Sequence, residues 1–212
     1  MATSEVDICT DALLLIGEQG INALDDTTIN GGYCLRFYPR LRSSILSMHS
    51  WRFATKFQQL TRDTGYTAQG FTYQHLLPPD RLLGQPIRFF PSNDVTGLPL
   101  DSFNIFADKV RSHAIDVWGE YRYPPPEAAW PAMVQELAVL ALGAQLALVI
   151  TEQRELARDL REQAWGTSQD MGRGGKFRSA ALLDAQSSPS ESLAEFHSPL
   201  TAARHGAGQR RY

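Results

Sequence analysis

The sequence predicts a mainly α-helical α+β fold: a bundle of about four helices, an inserted small antiparallel β-sheet domain and an extended C-terminal arm. Apolar residues recur at helical spacing in residues 1–52 and 124–171. In residues 53–123, by contrast, apolar and polar residues alternate, and prolines and glycines interrupt the alternation. The last stretch has too few large apolar residues to form a core. We expect a helical body at residues 1–52 plus 124–171, a β-rich insertion at 53–123, and a linker with the arm at 172–212.

The composition is that of a globular chain with a weak net charge. Its 212 residues include 20 Lys and Arg against 23 Asp and Glu, and 43% of them are hydrophobic, which excludes wholesale disorder. The absence of a Lys/Arg run argues against tight binding to DNA or to a membrane surface. The polar, acidic start of the chain is unlike a secretory signal, so we expect synthesis in the cytoplasm.

The first helix is predicted to follow Ser4, a suitable N-cap residue with acidic residues in the next turn. Its apolar residues recur at helical spacing: Val6, Cys9, Leu13 and Ile16. Gly17 and Gly20 should end this helix.

The second helix should run to about residue 49, and Asp25, Asp26 and Thr27 are its candidate N-caps. Its predicted buried stripe recurs at almost every fourth residue: Ile29, Tyr33, Phe37, Leu41, Ile45 and Met48. Pro39 lies inside the stripe. Because the stripe continues on both sides of this proline, we expect a kinked helix that does not stop there.

Residues 53–123 are predicted to form one small antiparallel sheet. The segments with strand-like alternation are FATKFQQLT, FTYQHLL, PIRFFPS, SFNIFAD and AIDVWGEYRY. Prolines and glycines separate them, and Pro124, Pro125 and Pro126 should close the region rigidly.

The third helix should begin near Ala128, with the stripe Met133, Leu137, Leu140, Ala144 and Leu148. Residues 132–150 are almost long enough and apolar enough to span a bilayer. Glu136 and Gln145 lie among them, however, which favours a buried helix.

The fourth helix should begin at Thr151, as N-cap, and run to about Trp165. Its acidic residues share one face: Glu152, Glu155, Asp159 and Glu162. Its basic residues share the adjacent face: Arg154, Arg158 and Arg161. Leu156, Leu160 and Ala164 form the predicted buried stripe. Two interpretations remain open: a solvated helix, or a head-to-tail contact in which the acidic face of one subunit meets the basic face of its neighbour.

Motifs for catalysis or cofactor binding are scarce, so we expect no cofactor and no metal site. Nucleophile motifs and phosphate-binding loops are absent from the sequence, and the GRGG stretch at 172–175 is interpreted as a flexible connector. The five histidines form no pair at helical spacing. Cys9 and Cys34 are expected to be buried thiols, with a disulfide between them as the alternative.

One pair of carboxylates suits glycoside hydrolysis, which needs two acids about 5 to 10 Å apart. Glu18 with Asp25 or Asp26, around the first interhelical loop, is the best candidate. A loop acid beside helix-capping aspartates is the simpler interpretation.

Several segments, in this order, resemble the head-to-tail adaptor of tailed bacteriophages, called tail tubular protein A in short-tailed phages. They are CTDALLLIGEQGINALDD (9–26), ILSMHSWRFATK (45–56), YQHLLPPDRLLG (73–84), the apolar and charged helix pair at 128–165, and ALLDAQ (181–186). The resemblance covers residues 5–186 and depends on the order and spacing of these motifs.

The resemblance implies a protein without chemistry to perform. Similar adaptors form a twelve-subunit ring beneath the portal protein, hold the tail nozzle and surround the channel through which genomic DNA passes. By this resemblance the helical body forms the ring, the insertion faces the tail, and the arm reaches the portal. The implied location is the head-to-tail junction of the virion, without membrane contact or specific DNA binding.

The arm has a few residues suited to anchor it on the portal. They are Leu193, Phe196, Leu200 and Tyr212, with Arg204, Arg210 and Arg211. Two other functions remain open: a cell-wall glycosidase that uses Glu18, and a monomeric assembly scaffold or chaperone.

Overall fold

Five α-helices and seven short strands form the fold in the computed structural model, counted over the residues that it describes: 3–24, 28–68, 70–82, 87–95 and 97–187. The helices are α1 (Glu5–Leu15), α2 (Ile29–Met48), α3 (Ala132–Val149), α4 (Arg154–Trp165) and α5 (Gly175–Gln186). The strands are β1 (Thr55–Gln59), β2 (Thr61–Arg62), β3 (Tyr73–Leu76), β4 (Arg88–Phe90), β5 (Phe103–Phe106), β6 (Lys109–Ser112) and β7 (Trp118–Arg122). The predicted fold class, α+β and mainly α, is confirmed.

The centre of the helical body is α3, which packs against each of the other four helices. Leu137, Leu142 and Leu146 are completely buried. By length and composition this helix could also cross a membrane, but 56% of it is buried inside the chain. Within this fold α3 is therefore a core helix.

The N-terminus of α1 is capped as the sequence predicts. The hydroxyl of Ser4 accepts a hydrogen bond from the backbone N–H of Asp7, and the Asp7 carboxylate accepts one from the backbone N–H of Ser4 at 2.8 Å. This reciprocal pair satisfies two N–H groups that a helix leaves unbonded. The hydrogen bonds from Ser4 hold the pKa of Asp7 below its usual value.

The second helix differs from its prediction at both ends. Its N-cap is Thr28, whose hydroxyl accepts from the backbone N–H of Gly31, while the three predicted caps lie outside the described residues. Ile29 and Met48 are exposed, and the buried side includes Cys34 and Tyr38. A stripe at every fourth residue drifts by about 40° per step on a helix of 3.6 residues per turn, so its ends rotate towards solvent. The helix continues through Pro39, as predicted.

The start of α3 and the boundary between α3 and α4 also differ from their predictions. The chain from 127 to 129 forms a 3₁₀ turn, and α3 starts only at Ala132. The hydroxyl of Thr151 donates to the carbonyl of Ala147 at 3.0 Å, so Thr151 closes α3 and does not cap α4. Gln153 occupies the N-cap of α4. Of the stripe predicted for α3, Leu148 is 53% exposed.

The segment at 172–186, predicted to belong to a linker, contains α5. Phe177 and Ala180 of this helix are buried in the core. The glycines that suggest a flexible connector permit a close approach between the end of α4 and the start of α5. A Cβ at Gly175 would collide with the backbone of Gln163 and Ala164, and Gly175 has a positive φ of 52°. Such a backbone conformation favours glycine.

The insertion contains two antiparallel sheets where the sequence predicts one. Their strand orders are β1-β7-β4 and β2-β3-β6-β5. The chain passes from the first sheet to the second at Leu60, a buried residue between β1 and β2. Leu60 belongs to a small core with Leu77, Phe89, Val110 and Val117. The continuous alternation of FATKFQQLT hides this change of sheet.

A buried polar cluster fixes the return from the insertion to the helical body. The hydroxyl of Tyr38 donates to Glu127 at 2.8 Å, and Arg42 forms an ion pair with the same carboxylate at 2.9 Å. Arg42 also donates to the carbonyl of Pro125 at 2.9 Å. Burial, and then the hydrogen bond to Glu127, raise the pKa of Tyr38. The proline segment is thus attached to α2.

Candidate subunit interface

The residues predicted to form a subunit contact all lie on the exposed sides of α4. They are Arg154, Glu155, Arg158, Asp159, Arg161 and Glu162. The side chains of Glu155, Arg158 and Asp159 are 89%, 65% and 60% exposed. Arg158 lies 3.5 Å from Glu155 and 3.9 Å from Asp159. Exposed ion pairs of this kind contribute little to stability. These charged side chains are therefore available for a contact with another chain.

The opposite side of α4 attaches the helix to α3. Ala157, Leu160 and Ala164 are buried there, whereas Leu156, predicted with them, is only partly buried. Small side chains at two of the three buried positions let the helices approach closely. The two charged faces are therefore held in a fixed orientation.

An open groove runs between α2 and α4, with α3 as its floor. Its volume is about 1150 Å³. We call it the α2–α4 groove. Its apolar lining includes Phe37, Leu41, Met48, Ala141, Ala144, Leu148, Ala157, Trp165 and Met171. Leu148 and Met171 are 53% and 88% exposed, so the groove presents apolar surface to solvent.

The charge of the α2–α4 groove is strongly positive. Four arginines line it: Arg40, Arg154, Arg158 and Arg161. Glu162 is the one carboxylate among its described lining residues. Within the part of the chain that the structure describes, Arg40, Arg154 and Arg161 form no ion pair. The groove thus combines an apolar floor with cations that lack a partner.

Arg40 is the member of this site that the sequence prediction missed. It belongs to α2, whose charges show no pattern comparable with the two faces of α4. Its position one residue before the buried Leu41 places it at the edge of the helix face that packs on α3. That signal is present in the sequence, but only the packing of α2 and α4 on α3 brings Arg40 to the other three arginines.

The candidate glycosidase pair is only partly described. The Glu18 carboxylate accepts a hydrogen bond from the Asn30 amide at 3.4 Å. Asp25 and Asp26 lie outside the described residues, so their distance from Glu18 is not defined. Glu18 thus bonds to the start of α2 across the first interhelical loop.

The two cysteines are buried, free thiols next to each other in the core of the helical body. Cys9 and Cys34 are within hydrogen-bonding reach of each other, and this contact, together with burial, raises the pKa of Cys9. The predicted buried thiols are confirmed. Among the described residues, no group of three or more His, Cys, Asp or Glu side chains lies close enough to hold a metal ion.

The predicted portal-docking residues fall outside the described part of the chain, which ends at residue 187. They are Leu193, Phe196, Leu200, Arg204, Arg210, Arg211 and Tyr212.

Compared with known proteins, the chain matches no protein-family model and no curated protein. The groove on the helical body is therefore the surface from which a function can be inferred.

Proposed function

We propose that this protein is a structural component of a bacteriophage particle: a head-to-tail adaptor that forms a ring between the portal vertex and the tail. The α2–α4 groove is the observation that carries the proposal. Apolar groups and arginines are typical of surfaces that another protein covers. A groove with an apolar floor and unpaired arginines therefore suits a subunit contact, and the resemblance of the sequence to the adaptor family supplies the setting.

The regions of the chain have different proposed contacts. The helical body supplies the contacts between subunits, the insertion faces the tail nozzle, and residues 187–212 reach the portal protein. An exposed edge strand supports the tail-facing role of the insertion: Ile105 and Phe106 of β5 are 44% and 50% exposed. Edge strands present unpaired backbone groups and are ready contacts for another chain.

The charge of the chain suits a channel for DNA. The formal net charge is −3 over 212 residues. A strongly basic lumen would bind phosphates, release counterions and slow the passage of the duplex. The proposed adaptor therefore lets genomic DNA pass through its ring without binding it specifically.

The proposal is tested by mixing the full chain with portal rings. Each copy alone lacks the portal surface that gathers the subunits, so we expect a monomer in dilute solution and a closed ring, of twelve copies by the resemblance, on the portal. Native mass measurement of both samples distinguishes these states. A chain that stays monomeric beside the portal contradicts the adaptor and favours a monomeric scaffold.

Deletion of residues 187–212 separates docking from folding. We expect the truncated chain to keep its Tm, because the described core lies in residues 3–187, and to lose stable attachment to the portal. Normal attachment would mean that the ring body docks by itself. Hydrolysis of peptidoglycan by the full chain, lost in Glu18→Gln, would instead identify an enzyme.

A further inference from the structure

We propose that the α2–α4 groove of one copy receives a second surface, on α1 and α3, of the next copy. This α1–α3 surface consists of Asp11, Leu14, Leu15, Glu136, Val139 and Leu140. The inference rests on the proposed ring, since it names the two surfaces that meet between its subunits.

Both surfaces expose apolar side chains. Leu14 and Leu15 are 59% and 44% exposed on α1, next to a shallow hollow of about 420 Å³. In the groove, the side chains of Met48 and Leu148 are 39% and 53% exposed. Contact between the surfaces removes these side chains from water, which is the main favourable term in protein association.

The charged residues of the two surfaces differ in sign. The α1–α3 surface carries Asp11 and Glu136 and no cation among its described lining residues. Asp11 forms no ion pair with a residue that the structure describes, and Glu136 bonds to Lys176 at 2.7 Å. The groove carries four arginines and one carboxylate. The two surfaces therefore have opposite signs, which favours their encounter and fixes their register.

The two surfaces are different and do not overlap. On α3, the groove uses Ala141, Ala144, Gln145 and Leu148, whereas the α1–α3 surface uses Glu136, Val139 and Leu140. One copy can therefore use both surfaces at once. Joining unlike surfaces gives a head-to-tail contact, which closes into a ring when the rotation between copies permits it.

The acidic face of α4, which the sequence suggests as the partner of the basic face, fits the groove less well. Glu155 and Asp159 already lie near Arg158, and these acidic positions form a polar face without large apolar residues. Ion pairs alone contribute little at an exposed contact. The α1–α3 surface supplies leucines as well as carboxylates.

The C-terminal arm also fits the groove poorly by charge. Residues 188–212 contain three arginines and two glutamates, so their side chains bring no net negative charge to match the groove arginines. A DNA duplex would match the arginines but leave the apolar floor without a partner. A second copy of the chain satisfies both features of the groove.

The test uses two charge reversals in the full chain, Arg158→Glu in the groove and Asp11→Arg on the α1–α3 surface. Each variant alone places like charges at every junction, so we expect a loss on the order of tenfold in ring formation on portal rings. In an equal mixture, every junction between unlike copies has opposite charges, so alternating rings should form as well as wild type. Because both residues are exposed, neither change should alter Tm.

Arg36→Glu is the matched control, because Arg36 is an exposed helix arginine outside both surfaces and should assemble normally. A wild-type chain that forms no ring contradicts the proposed function itself. A wild-type ring with normal assembly of either variant alone, or without rescue in the mixture, overturns only the pairing of these surfaces. If ring formation by Arg158→Glu is restored by Asp159→Arg in the same chain but not by added Asp11→Arg copies, the contact belongs to the acidic face of α4. Competition by a DNA duplex for the groove arginines would also overturn the inference.

Discussion

The helical body and the β-rich insertion are stabilised by different interactions. The body has one large core that includes side chains from all five helices, whereas the described core of the insertion contains five buried residues. Polar contacts are prominent in the insertion: Asp63 binds Lys109 and Gln74, and Arg81 binds Asp108 at 2.6 Å. Apolar burial contributes far more than exposed ion pairs. The comparison indicates a rigid helical body and an insertion that opens more readily.

The largest effect is expected from Leu137→Ala. Leu137 is completely buried in α3, which touches every other helix, so the cavity should cost about 2 to 5 kcal/mol and destabilise the whole chain. Denaturant unfolding measures the change. Leu148→Ala on the same helix is the control, because that side chain is 53% exposed and should change stability by less than about 0.5 kcal/mol. Equal losses would place the core elsewhere.

A smaller and local effect is expected from Val110→Ala in β6. Val110 is completely buried in the small core of the insertion, so we expect a loss of about 1 to 3 kcal/mol. Hydrogen exchange should increase in β2, β3, β5 and β6 and stay unchanged in the helices. Val95→Ala, at a residue 47% exposed, serves as the control. Increased exchange in α3 as well would mean that the two regions unfold as one unit.

Loss of the N-cap of α2 should cost less. In Thr28→Ala the backbone N–H of Gly31 loses its hydroxyl partner, which lies at 3.1 Å, and the expected cost is about 1 kcal/mol. The loss should be seen in the unfolding of the helical body. Ser43→Ala, at an exposed position in the middle of α2, should cause no loss. A neutral Thr28→Ala would mean that other contacts hold the start of α2.

The smallest effect is the acid sensitivity of the insertion. Hydrogen bonds, first from Lys109 and then from Gln74, lower the pKa of Asp63. Its contribution to stability is therefore present above the usual carboxyl pKa of about 3.9 and is lost as the pH falls through the lower folded-state value. The protection of the β2, β3 and β6 amides, expressed relative to the intrinsic exchange rate at each pH, should decrease on this acidification. Asp63→Asn should lose this part of the pH dependence, and an unchanged profile would contradict the role of Asp63.

Local features of the fold could be predicted because local chemistry decides them. Ser4 followed by Asp7 specifies a helix start, and the apolar spacing around Leu137 specifies a core helix. The change of sheet at Leu60 and the helix that begins at Gly175 cannot be predicted in this way, since the first depends on packing between sheets and the second on a close approach of two helices. Likewise, the sequence of α4 predicts its own charged faces. Arg40 of α2 lies near the α4 arginines only because α2 and α4 both pack on α3.

The helical body, and not the insertion, carries the proposed contact between subunits. Hydroxyl-radical footprinting of the free chain and of the chain on portal rings compares the two regions in one experiment. Met48 and Met171 in the groove are 39% and 88% exposed, and Phe106 on β5 is 50% exposed. We expect both methionines to become protected on the portal while Phe106 stays reactive in the absence of the tail. If Phe106 becomes protected while Met48 and Met171 stay reactive, the result would contradict a contact through the helical body.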